Sequence, residues 1–314
     1  VQYVRICASG TLFIVAFNVI GSVFRGLGDS KMPLITVAIA CVCNIAGDLL
    51  LVDVFQMGAA GAAWATVFAQ AVSVILSMFV IARRRLPFTF SRSQLRFDRV
   101  LTSGILRLGL PIALQDVLVG ISFLVILAIV NSLGLLQSAG VGIAEKVCAF
   151  VMLLPSAFSQ PVSAFVAQNI GAGKPERAKK ALRYSVIVSL CISVFVFYFN
   201  FFHGDLLAGI FANERAVIAE AADYLKAYAI DCLLTSFLFC FVGYFSGLGK
   251  TVFVMAQGIA GAFGVRIPIS FFMSKLPNVR LFYIGLATPC STIVQVILCL
   301  FYYVYLAHKN KQQK

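Results

Sequence analysis

The sequence predicts an all-α, polytopic membrane protein, and three observations support that fold class. The composition is 61% hydrophobic against 12% charged, with a mean hydropathy of +0.97, outside the range of soluble domains. Apolar stretches of the ~20 residues that a spanning helix needs recur along the chain, separated by short polar breaks. These stretches are continuous rather than alternating, which favours helices over the strands of a barrel.

About nine spans meet the length criterion. The first covers 2–23 and stops at Gly26-Leu27-Gly28, where glycine supplies tight-turn or left-handed geometry. The second covers 33–55, with Pro33 suited to a first helical turn, and the third covers 58–82 after a short loop around Gly58. A basic stretch follows, and the fourth span runs over 104–133. The fifth, over 139–167, holds Pro155 and Pro161, which remove helix hydrogen bonds and allow bends. The sixth covers 181–202 after a second basic stretch that contains Pro175, and the seventh covers 224–245. The eighth, over 252–273, carries Arg266 and Pro268, and the ninth, over 282–306, carries Pro289. The nine cysteines all fall within apolar spans and read as small hydrophobes rather than disulfides. Cys41 and Cys43 are two residues apart and point to different helix faces, so they do not form a metal-ligand pair.

The net charge of +13 is explained by where the cations sit, not by nucleic acid. Arg83, Arg84, Arg85, Arg92, Arg96 and Arg99 occupy one loop, and Lys174, Arg177, Lys179, Lys180 and Arg183 another. Lys309, Lys311 and Lys314 close the chain, and with alternating spans Arg25, Lys31, Arg107 and Lys250 share the same side. The positive-inside rule makes that side, and the C-terminus, cytoplasmic. An odd number of spans then places Val1 outside with no cleavable signal before it, and the expectation is that helices are missing upstream.

The sequence also repeats. Tyr3-Val4-Arg5 and Arg25-Gly26-Leu27-Gly28 recur as Tyr224-Leu225-Lys226 and Ser246-Gly247-Leu248-Gly249 at an offset of 221, and Thr66 recurs as Thr288 at an offset of 222. Such an offset spans six helices, so the repeats share orientation and predict two lobes about an axis along the membrane normal, with a central cleft. The expected division is 1–83 for the last three helices of an N-terminal lobe, 84–103 for a basic cytoplasmic linker, 104–307 for a six-helix C-terminal lobe and 308–314 for a cytoplasmic tail. By the repeat, roughly 120 residues and three helices precede Val1, giving about twelve spans in all.

Gly26-Leu27-Gly28-Asp29-Ser30-Lys31-Met32-Pro33, the stretch 58–66, Leu108-Gly109-Leu110-Pro111-Ile112 and Ala167-Gln168-Asn169-Ile170-Gly171-Ala172-Gly173-Lys174-Pro175-Glu176-Arg177-Ala178 together resemble the multidrug and toxic compound extrusion (MATE) transporters. The resemblance covers essentially the whole chain. It implies secondary-active export of amphipathic, often cationic compounds by exchange for Na⁺ or H⁺, in the cell membrane, by a monomer. No other cofactor is implied, and the partners are small-molecule substrates and the bilayer.

Acidic residues within spans are costly, and each merits a functional hypothesis. Asp48 has Asn44 one helical turn before it on the same face, and Thr66 lies on the next span. Carboxylate, amide oxygen and hydroxyl suit Na⁺, and the carboxylate alone suits a proton. In the family resembled, these positions fall where some members keep the N-lobe coupling-cation site, completed there by an acid on the first helix. Asp116 with Gln115, and Asp231, are candidates to line the second lobe, although other branches of the family place their acids nearer Val119 and Thr235. Arg266 lies well inside the eighth span and needs a partner such as a freed carbonyl or Asp231. Glu145 and Lys146 lie near a span end, where a lysine snorkels to the interface.

Two other readings compete. A lipid-linked sugar flippase on a related scaffold calls for several cations facing the cleft, and the spans offer only Lys146 and Arg266. A membrane-embedded enzyme lacks a constellation, because His203 and His308 both sit at span ends and no Walker loop is present.

Overall fold

A computed structural model of the chain describes residues 1–83, 97–277 and 279–312, and these are helical without a strand among them. Among the described residues, eight helices are long and apolar enough to cross a membrane, or nine if a bent pair near the N-terminus counts as one span. That pair is α1 (Gln2–Ser9) and α2 (Thr11–Gly26), which meet at 51° where the sequence suggested one span. The bend falls at Gly10, whose missing Cβ leaves the room that Val67 occupies.

The chain divides into two compact units, Val1–Phe97 and Asp98–Lys314. In the first, α4 (Gly58–Arg83) packs against α1, α2 and α3 (Lys31–Asp48). A π-helical turn, Leu49–Val54, extends α3. The α3–α4 contact is close because its residues are small: a Cβ on Gly47 would stand 3.0 Å from that of Ala65.

The second unit starts with α5 (Arg99–Asn131), whose first amides, Val100 and Leu101, are capped by the Asp98 carboxylate. This cap carries helix back to Arg99, into the stretch expected as linker, while Arg84, Arg85, Arg92 and Arg96 lie outside the described residues. The fifth expected span is α6 (Leu135–Ser156) and α7 (Ser159–Gly171), broken just after Pro155. Next come α8 (Pro175–Phe202), opened by Pro175, the short α9 (Gly204–Gly209) and α10 (Arg215–Gly247). The eighth span is α11 (Thr251–Gly261), a π turn at Ala262–Arg266 and α12 (Ile267–Ser274). The ninth is α13 (Leu281–Gly285) and α14 (Ala287–Gln312), which runs past the tail boundary expected at 307.

Helix α10 is the centre of this unit, packed against α6, α7, α8, α13 and α14. Its apolar window is 61% buried, against 11% for α5, so α10 can hold polar groups away from lipid. One apolar cluster takes Tyr224, Leu225 and Tyr228 of α10 with Ile126, Val130 and Val141. A second takes Leu238, Cys240 and Phe241 of α10 with Val162, Val166 and Leu182. The buried polar stretch Asp231, Thr235 and Ser236 lies between them along the helix.

The sequence repeat is also a structural one. Gly28 and Gly249 stand at φ +85° and +71°, the left-handed geometry that glycine adopts at a helix end. Behind each, an amide reaches back five residues: Asp29 to the Phe24 carbonyl at 3.0 Å, and Lys250 to that of Phe245 at 2.9 Å. Phe24 and Phe245, 221 residues apart, are both buried.

Candidate functional site

In the first unit, the close approach of α3 and α4 brings two of the sequence candidates together. The Asn44 amide donates to the Thr66 hydroxyl at 3.4 Å, and Thr66 donates to the Ala62 carbonyl of its own helix at 2.9 Å. Asp48 stands one turn beyond Asn44, at the last α-helical residue before the wide turn. All three side chains are half-buried. Oδ1 of Asp48 is buried and has no hydrogen-bond partner among the described residues. An orphaned buried acceptor costs ~1–3 kcal/mol, and more if charged, so this carboxylate is the group a cation or a proton would satisfy. Oε1 of Gln70, one turn after Thr66 on α4, is likewise buried without a partner among the described residues. The sequence reading passed over Gln70; its signal was the four-residue spacing from Thr66.

In the second unit, Asp231 is 2% exposed and accepts a 2.6 Å hydrogen bond from the Thr292 hydroxyl of α14. Arg266, 6% exposed at the end of its π turn, donates to the Ser122 hydroxyl of α5 at 3.4 Å and lies over the Phe123 ring at 4.5 Å. Its charge acts on Asp231 and on Tyr228, whose phenol is hydrogen-bonded to Thr288. Asp231 and Arg266 are thus both buried in the second unit, without an ion pair between them among the described residues. Gln115 instead packs at the α5–α11 contact, against Gly258, and Asp116 beside it is exposed. The structure thus separates Asp116 and Gln115 in their surroundings, where the sequence grouped them. Thr292 and Ser122 escaped the sequence reading because a lone hydroxyl in an apolar span is common; Thr292 could have been found as the residue one turn after Thr288.

Eight or nine helices long and apolar enough to cross a membrane among the described residues, with Asp231 and Arg266 buried in one unit and Asp48 half-buried in the other, define a multi-span membrane protein. The fold matches that of a MATE protein crystallised in complex with MaL6, with a TM-score of 0.92 at 18% identity over 99% of this chain and 70% of that one. It also matches an outward-facing multidrug resistance MATE family transporter, with a TM-score of 0.91 at 18% identity and the same coverage. Among curated proteins, the "Probable multidrug resistance protein YpnP" of Bacillus subtilis (strain 168) is 29% identical over 96% of this chain and 67% of its own length. The multidrug export protein MepA of Staphylococcus saprophyticus is 25% identical over 87% of this chain and 60% of its own.

The MatE family profile matches residues 111–272, a little over half of the chain. The chain belongs to the MatE family, and with relatives named for multidrug export it is a transporter rather than an enzyme.

Proposed function

We propose that the protein exports amphipathic, often cationic organic compounds in exchange for Na⁺ or H⁺ by alternating access, with Asp48 as the group that takes the coupling cation. The observation that carries this reading is the buried Oδ1 of Asp48, without a partner among the described residues, beside the Asn44–Thr66 pair. Relatives named for multidrug resistance and multidrug export support the substrate class. Cation binding neutralises Asp48 and shifts the balance between two helix packings, which is how one site biases a conformational equilibrium. Na⁺ would take its oxygens from the Asp48 carboxylate, the Asn44 amide and the Thr66 hydroxyl; a proton would need Asp48 alone. The exposed carboxylate of Asp116 is suited to meeting a cationic substrate, and Gln115 to helix packing.

The transporter works as a monomer in the cell membrane with its C-terminus in the cytoplasm, and the cations at the start of α8 and the end of α14 support that orientation. Efflux of a dye panel from membrane vesicles, under an imposed Na⁺ or pH gradient, tests the proposal. Efflux driven by one of the gradients supports antiport and names the ion; equal efflux with both gradients collapsed contradicts it.

A further inference from the structure

The proposed cycle gives Arg266 no part, yet a guanidinium held 6% exposed inside a span is an expensive thing to keep. A guanidinium is a cation, so its burial calls for a counter-charge. It touches the Ser122 hydroxyl and the Phe123 ring face, its Nε is without a partner among the described residues, and Asp231 is close enough for the two charges to interact but is not joined to it by an ion pair among the described residues. The thiols of Cys148 and Cys232 and the Tyr228 phenol are the other titratable groups around Asp231 and Arg266.

The internal repeat brings Arg266 to within one residue of the position of Asn44. In the register of Thr66 and Thr288, an offset of 222, Asn44 falls on Arg266 and Asp48 on Ser270; in that of Gly28 and Gly249, an offset of 221, they fall on Val265 and Ile269. Ser270 is fully buried, and its hydroxyl has no partner among the described residues. The first unit therefore presents an amide, a carboxylate and a hydroxyl with no fixed cation. In the corresponding positions the second unit presents a guanidinium and two hydroxyls, with its acid, Asp231, placed on α10 instead. Each of the two helices also contains a π turn, at positions that the repeat does not match: Leu49–Val54 after Asp48, and Ala262–Arg266 ending at Arg266 itself. Such turns concentrate at functional places in helices.

We propose that Arg266 is a tethered cation: in the second unit it fills the place that the exchangeable coupling cation takes in the first, with Asp231 as its fixed counter-charge. The second unit then binds no coupling ion, and the cation stoichiometry is set by the first unit alone. The correspondence rests on reading Asp48 as the coupling site, whereas the state of Asp231 can be tested without that reading.

The test is cation uptake by the purified protein, measured both as ²²Na⁺ bound and as protons taken up from unbuffered solution. Wild type is compared with Asp48→Asn, Asp231→Asn, Arg266→Gln, the double variant Asp231→Asn/Arg266→Gln and the double variant Asp48→Asn/Arg266→Gln, each checked for folding by size-exclusion chromatography. Arg266→Gln gains one Na⁺ or proton per molecule, the gain vanishes when Asp231 is also changed, and it persists when Asp48 is changed. Asp231→Asn alone, and the doubly neutral Asp231→Asn/Arg266→Gln, bind as many cations as wild type, so the proposal stays testable if Arg266→Gln does not fold. A cation lost in Asp231→Asn overturns the proposal, and so does a folded Arg266→Gln that gains none. Wild-type uptake that survives Asp48→Asn, with the Arg266→Gln gain intact, sinks the Asp48 reading instead.

Discussion

Thr292 on α14 donates a 2.6 Å hydrogen bond to Oδ1 of Asp231 on α10, sixty-one residues away, and so joins two spans through a carboxylate that is 2% exposed. Removing that donor leaves a buried acceptor with less to compensate it. Thr292→Val keeps the shape and loses the hydroxyl, and it should destabilise the protein by ~1–3 kcal/mol. Thr292→Ser should restore most of the loss. Thermal unfolding in detergent compares the two, and an unchanged Thr292→Val midpoint would mean the bond adds nothing.

Gly249 closes α10 at φ +71°, a region that an L-residue with a Cβ enters at a cost of ~1–2 kcal/mol. Gly249→Ala should therefore lower stability by about that amount, and Gly28→Ala should do the same at the equivalent end of α2. Gly209→Ala, where the backbone is helical and no neighbour stands within 4 Å of the added methyl, serves as the control. The ranking of the three variants in the same unfolding assay checks the assignment.

Asp223 is the better-engaged member of its ion pair. Its carboxylate accepts from Arg280 at 2.6 Å and from the Phe282 amide at 3.2 Å, and its side chain is 13% exposed against 67% for Arg280. Arg280→Ala should cost at most ~1 kcal/mol, as exposed partners do. Asp223→Ala, which also strips the Phe282 amide in the first turn of α13 of its acceptor, should cost ~1–3 kcal/mol. Equal effects would show that the backbone contact contributes nothing.

A reporter fused after residue 314 should be active only if it works in the cytoplasm, and a cysteine placed at Leu276, after removal of the native cysteines, should react with a membrane-impermeant maleimide added outside. Leu276 is exposed in the turn that follows α12. The reverse pattern would overturn the orientation drawn from the cations.

Much of the fold could be read in the sequence because a bilayer imposes length and hydropathy on every span. The repeated Gly-Leu-Gly terminators were legible for a similar reason: only glycine takes the geometry found at Gly28 and Gly249. The bend at Gly10 was not legible, since it depends on where Val67 of α4 comes to rest. At the site, the sequence found Asn44, Asp48 and Thr66 because spacing along one helix and a short loop to the next restrict which faces meet. It left the surroundings of Arg266 open, because Ser122 lies 144 residues away and Phe123 beside it. A contact of that range is fixed by packing of α5 against α11, α12 and the π turn between them, which leaves no local pattern in the sequence.

The most direct test of the account is Asp48→Asn, an isosteric change that removes the charge and keeps the hydrogen-bonding shape. Dye efflux is followed in vesicles carrying equal amounts of wild-type and variant protein, under the gradient that drives the wild type. The account predicts that gradient-driven efflux falls to the level of vesicles without the protein, while the variant stays folded in the membrane. Wild-type efflux by Asp48→Asn at equal abundance would contradict it.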